Sequence, residues 1–163
     1  MRAVVTVAAL MSLAACSSEA PPPPPAASPA KLAAGQWEVT AKVAELTSTD
    51  KTVPAVQAKV GDTATASACV EADGVLPAEL FAVAGQQCAA RNPYVRNGRM
   101  NLQLDCTAGQ GKVVGEINGK FTADSLTASV TSTSFFTGSG DYRLKRELTG
   151  RRIGECSPKV AER

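Results

Sequence analysis

The chain of 163 residues contains no histidine. That removes the commonest general base, the commonest metal ligand and every nucleophile that relies on an imidazole. Aromatic residues make up only 4% of the chain, and the formal net charge is +2. Nucleic-acid binding needs a strongly basic face, and so balanced a chain does not supply one. Five cysteines occur, none in a Cys-x-x-Cys pair, so a thiolate zinc site lacks its usual spacing. There is no Gly-x-Ser-x-Gly elbow. Gly109-x-Gly-x-x-x-Gly115 lacks the Lys-Ser/Thr of a phosphate loop and precedes a strand pattern, so it reads as a turn. Carboxylates are scattered, mostly at polar positions. A glycosidase pair would have to face across a cleft at about 5 to 10 Å. The expectation is a protein that is not an enzyme, with no cofactor and no metal.

The N-terminus carries the first positive signal. Arg2 precedes a short apolar run from Ala3 to Met11. Spanning a bilayer takes about 20 apolar residues, so this run is an export signal, not a span. Leu13-Ala14-Ala15-Cys16 follows and resembles the bacterial lipobox. Small residues there fit the signal peptidase, and the Cys16 thiol accepts a lipid. Each buried CH₂ contributes roughly 0.8 kcal/mol, so two or three acyl chains hold a protein on a membrane. Ser17, not Asp, follows the cysteine. In Gram-negative lipoproteins that matches sorting to the outer membrane. The expected place is the cell envelope, on the periplasmic face of that membrane.

Five prolines, Pro21 to Pro25, come next, with Pro29 close behind. Proline has no amide donor and a fixed φ, so this stretch is a polyproline-II spacer of about 3.1 Å per residue. The chain therefore divides into a signal peptide (1–15), a lipidated cysteine with its tether (16–31), and a folded domain (32–163).

Within the domain the apolar residues recur with period two. Trp37, Val39, Ala41 and Val43 share a parity, as do Met100, Leu102, Leu104 and Cys106. So do Val113, Ile117 and Phe121, with Gly115 and Gly119 between them, and Leu126, Ala128 and Val130. Tyr142, Leu144 and Leu148 form a last set. Such alternation puts one face on a core and the other in water, the pattern of antiparallel sheet. Asn97-Gly98 suits a tight hairpin. Gly109 to Gly111, Ala123 to Ser125 and Gly138 to Gly140 mark further turns. Asn118-Gly119 reads as a bulge inside one longer strand. Leu76 to Val83, with Pro77 near its start, is the one helical candidate. The expected fold is mainly all-β: a single curved antiparallel sheet or partly open β-barrel, with one short helix and two disulfides.

With lipid on Cys16, the remaining Cys69, Cys88, Cys106 and Cys156 form an even set, which reads as two disulfides in an exported domain. Cys69 ends one predicted strand and Cys88 starts the next, so a meander favours Cys69–Cys88 with Cys106–Cys156. The rival is Cys88–Cys106, across the Asn97-Gly98 hairpin. Strand counting puts Cys156 at the wrong end for Cys106 unless the chain turns back near Gly150, and the choice stays open.

Several short motifs occur in a fixed order. They are Gly35-Gln-Trp-Glu-Val-Thr40, Cys69-Val-Glu71, Cys88 and Cys106 around a hairpin, Gly115-Glu-Ile-Asn-Gly-Lys-Phe121, and Gly150-Arg-Arg-Ile-Gly-Glu-Cys156. The series resembles the DUF3617 family of small exported bacterial proteins. The resemblance implies export and a β-rich domain. It brings no catalytic residues with it. The proline tether departs from the family pattern. So does the polar segment Thr47 to Thr63, where relatives are rich in Met and Pro, which puts in doubt a ligand role for that loop.

A basic stretch, Arg143, Lys145, Arg146, Arg151 and Arg152, lies near the C-terminus. Arg146 has the parity of Tyr142 and Leu144, so it points inward and needs a partner or a cavity. A carboxylate such as Asp105 or Glu116 would make it structural. An anion held inside a half-open sheet, or contact with anionic lipid headgroups, would make it functional. Arg146, Arg151 and Arg152 are the candidate binding residues. The expected role is a monomeric, non-catalytic domain anchored to a membrane that binds a small molecule or a protein. Inhibition of a hydrolase such as lysozyme is the alternative.

Overall fold

A computed structural model describes residues 31–109 and 111–156. The signal peptide, Cys16 and the tether up to residue 30 lie outside the described residues, as do residues 157–163.

Seven antiparallel strands form one sheet in the order β2-β1-β7-β6-β5-β4-β3. The strands are β1 (Gly35–Ser48), β2 (Thr63–Val70), β3 (Gln87–Arg96), β4 (Arg99–Ala108), β5 (Gly111–Phe121), β6 (Ser125–Phe136) and β7 (Tyr142–Gly154). From β3 to β7 the chain is a simple meander. The long-range step is the pairing of β7 with β1, which brings the domain's two ends together. β2 and β3 are left as opposite edges.

Every inward parity read from the sequence is buried: Trp37 to Val43, Met100 to Cys106, Val113 to Phe121, Leu126 to Val130 and Tyr142 to Leu148. A single sheet with one apolar face has no second layer to cover it, so it curls around its own side chains as a half-barrel. The segment 71–86 crosses from edge β2 to edge β3 and closes the open side, burying Leu76, Leu80 and Phe81 against the core. We refer to it as the strap.

Local chemistry explains most turns. Asn97 and Gly98 both have positive φ, 53° and 70°, as a two-residue type I′ hairpin requires. The β1–β7 pairing has two irregularities, one between Gln36 and Trp37 and one between Val43 and Glu45, where Ala44 has no counterpart on β7. That extra residue switches parity, so Leu46 and Ser48 face inward opposite Leu144 and Tyr142.

Three expectations are corrected. The helix over Leu76 to Val83 is a single 3-10 turn, Ala78–Leu80, with no side-chain cap. A segment this short cannot offset the cost of helix nucleation, so Leu80 and Phe81 are buried by the strap's docking against the core and not by a helix face. Asn118-Gly119 lies inside β5 without a bulge, because its register against β4 and β6 runs unbroken. Gly119 is needed for space: a Cβ there would come within 2.7 Å of Ala128 Cβ and 2.5 Å of Thr127 O. The disulfides are Cys69–Cys156 and Cys88–Cys106, not Cys69–Cys88 with Cys106–Cys156. β2 and β3 are consecutive in the chain but lie at opposite edges, so their cysteines do not meet. Cys88 and Cys106 face each other in the β3–β4 register with Cα atoms 4.0 Å apart. Cys156 follows β7 and reaches past β1 to Cys69 near the end of β2.

Candidate functional site

β2 is an edge strand of alternating Thr or Ser and Ala. Its register with Trp37, Val39 and Ala41 puts Ala68, Ala66 and Ala64 on the inward side. Methyl groups fill little of the space that leucine or phenylalanine would take. A cleft of about 500 Å³ opens between β2 and the strap. Its walls include Ala41, Ala64, Ala66, Ala82 and Ala84, and it runs toward Gln87 and Cys88 at the start of β3. A second cleft of about 550 Å³ has Ala41, Ala64 and Ala82 to Ala84 in common with the first and runs toward the loop around Ala58 and Asp62. Both volumes fall in the range of about 300–1,000 Å³ common for small-molecule sites.

Arg146 lines both clefts. It sits in the middle of β7 and is 5% exposed. Its two terminal nitrogens donate to the strap, to Phe81 O and to Ala82 O at 3.4 Å. Its Nε is buried and has no hydrogen-bond partner among the described residues. Among the described residues no carboxylate pairs with it. Asp105 pairs with Arg91 on the outer face at 3.1 Å, and Glu116 is exposed. β4 and β5 present these carboxylates on the parity opposite to the core. Burial pushes the guanidinium pKa down from its ordinary value, with a weaker opposing influence from Tyr142. An arginine nonetheless keeps its charge. The site is therefore a buried cation held by two carbonyl dipoles, with a free donor, beneath an alanine-lined cleft.

The rest of the basic stretch does not join it. Arg143, Lys145 and Arg151 lie on the outer face of β7. Arg151 pairs with Glu38 at 3.0 Å. Arg152 donates from Nε to Ala34 O at 2.7 Å and pairs with Glu155, tying the entry of β1 to the end of β7. Both of these arginines fasten the β1–β7 seam. Sequence reasoning missed the alanines and the strap, although the Thr63-Ala-Thr-Ala-Ser-Ala68 alternation was a visible signal for a strand with an unfilled inner face.

A second polar cluster pins the segment Thr49 to Asp62. Asp50 accepts from Ser48 Oγ (3.1 Å), Thr52 N (2.9 Å), Thr52 Oγ1 (2.7 Å), Gly140 N (2.7 Å) and Asp141 N (3.0 Å). These donors, Thr52 first, hold its carboxyl well below the usual carboxylate range. The cluster binds this loop to the β6–β7 turn, and with all its acceptor positions used it is structural. Tyr142, buried beneath, accepts from Gln86 Nε2 at 3.2 Å, and burial pushes its phenol pKa up.

Among the described residues no group of three or more Cys, Asp or Glu could hold a metal ion, and no helix is long and apolar enough to cross a membrane. The family model described as a protein of unknown function, DUF3617, matches residues 32–156. No curated protein and no solved structure matches the chain.

Proposed function

Since the chain belongs to the DUF3617 family, whose description names no activity, we propose from its own geometry that it is a non-catalytic ligand-binding domain of the cell envelope. It is held to the periplasmic face of the outer membrane by lipid on Cys16, and the proline tether gives the domain reach. The observation that carries this reading is the alanine-lined cleft over Arg146. A core position that could have been filled by apolar packing is instead left open above a buried charge. Nature rarely leaves a buried cation without a counter-charge unless something else supplies one. The chain has no histidine to run acid–base or nucleophilic chemistry at that point, which supports binding over catalysis.

Native mass spectrometry of the full chain, extracted from its own envelope, tests the reading. A small molecule retained at one per chain is expected. An empty chain that co-purifies stoichiometrically with a protein instead would overturn it. Replacing Cys16 by Ser should move the chain from the membrane fraction to the soluble one, and continued membrane retention would overturn the anchoring.

A further inference from the structure

We infer that the cleft takes a long-chain aliphatic carboxylate, with the carboxylate against the free donors of Arg146 and the hydrocarbon chain along the alanine wall. This rests on the binding reading above and names its ligand class.

The head group follows from the arginine. A guanidinium has five N–H donors. Two atoms of this one donate once each to strap carbonyls, and Nε donates to nothing among the described residues. The free donors suit a planar oxyanion, and a negative group would remove the cost of an unpaired buried cation. The charge number follows from the rim. Glu79 borders the first cleft and Asp62 the second. These carboxylates repel any anion, and they weigh more heavily against a doubly charged phosphate than against a singly charged carboxylate.

The body of the ligand follows from the walls. Ala41, Ala64, Ala66, Ala82, Val83 and Ala84 form an apolar strip along the clefts, which a hydrocarbon chain matches, while Thr65, Gln86 and Gln87 line the first cleft and Gln57 and Thr63 the second as polar side chains. The length follows from the layout. Arg146 lines both clefts, one leading toward β3 and the other toward the loop at Ala58, so a chain starting at the head group can lie along either one.

Isothermal titration of the full chain in lipid nanodiscs, referenced to protein-free nanodiscs, tests this with dodecanoate, dodecanol and acetate. Dodecanoate should bind at one per chain, with dodecanol at least about tenfold weaker and acetate weaker still. Arg146→Met should lower dodecanoate affinity about 10–100-fold and erase its preference over dodecanol. Ala64→Phe, which fills the wall and leaves the arginine in place, should abolish binding of both. That variant carries the test if Arg146→Met fails to fold. Arg151→Met on the outer face should change nothing. Equal affinity for dodecanol and dodecanoate, or wild-type affinity in either cleft variant, would overturn the ligand class. If no probe binds but the envelope-extracted chain retains some other small molecule, the class is wrong and the binding reading stands. If no probe binds and nothing is retained, both fall.

Discussion

Replacing Arg146 by methionine separates a structural arginine from one kept for a ligand. The side chain makes two hydrogen bonds to the strap, to Phe81 O and Ala82 O. A hydrogen bond to a charged group contributes about 1.5–3 kcal/mol. The contact to Ala82 O, at 3.4 Å, belongs at the weak end, so the variant loses about 3–4 kcal/mol of attraction. Against this stands the desolvation of a guanidinium at 5% exposure with no carboxylate partner among the described residues, which costs several kcal/mol. The unmade bond at Nε adds about 1–3 kcal/mol of penalty that methionine does not carry. Methionine keeps the apolar stem, and its thioether adapts to an irregular gap. The opposing terms nearly cancel. The ligand-free variant should lie within about 1 kcal/mol of the wild type, on the stabilised side if it departs at all. Urea unfolding reports this through Trp37, the only tryptophan and fully buried. Amide exchange at Phe81 to Ala84 should quicken, because the strap has lost its clamp. A loss of about 3–5 kcal/mol, the usual result of breaking a buried ion pair, would refute the reasoning. It would mean that the arginine is part of a satisfied core network.

The two disulfides should differ in weight. Cys88–Cys106 closes a loop of 18 residues and Cys69–Cys156 one of 87. Chain-entropy arguments give about 3 kcal/mol for the first and about 4.5 kcal/mol for the second. Paired Cys→Ser variants should therefore show the larger drop in unfolding free energy when Cys69–Cys156 is removed, and equal drops would count against this account. The Asp50 carboxyl is held below its ordinary pKa of 3.8. Its stabilising effect is fully present above that value and is lost as pH falls through the lower folded value. Asp50→Asn should be less stable than the wild type at neutral pH, with the gap narrowing in acid below about pH 4. A gap that stays constant across an acid titration would contradict that. Tyr142 shows the opposite sign. Its pKa is raised, so its contribution is present below the ordinary value of 10.0 and fades as pH climbs past it. Tyr142→Phe should flatten the alkaline limb of a stability profile.

Much of the sheet was legible because alternation is a local signal. Met100 to Cys106 and Leu126 to Val130 declare their buried face within a few residues, and Arg146 declares its inward position by the same parity. Asn97-Gly98 declares its turn through backbone conformation alone. The failures came where distant segments decide. Pairing of β1 with β7 depends on how a curled sheet closes, and that sets both edges. Once β2 and β3 lie at opposite edges, Cys69 cannot reach Cys88, and the segment between them becomes a strap instead of a hairpin connection. The helical pattern at Leu76 to Val83 was overridden for the same reason, because the strap is buried on more than one side. The carbonyl partners of Arg146 carry no sequence signal, since every residue has a carbonyl. A carboxylate was the natural structural expectation there, and what the fold added to the inward parity of Arg146 was the strap backbone that holds it and the clefts that it lines.

The most direct measurement is the nitrogen-15 NMR signal of the Arg146 Nε–H group in the full chain in nanodiscs, followed as dodecanoate is added. The assignment comes from its disappearance in Arg146→Met. The account predicts an Nε–H proton signal typical of a group without an acceptor. It should move downfield on titration as the carboxylate takes that donor, with no such movement when dodecanol is added. A signal that stays in place while dodecanoate binds, or one that already shows a strong acceptor in ligand-free protein, would contradict it.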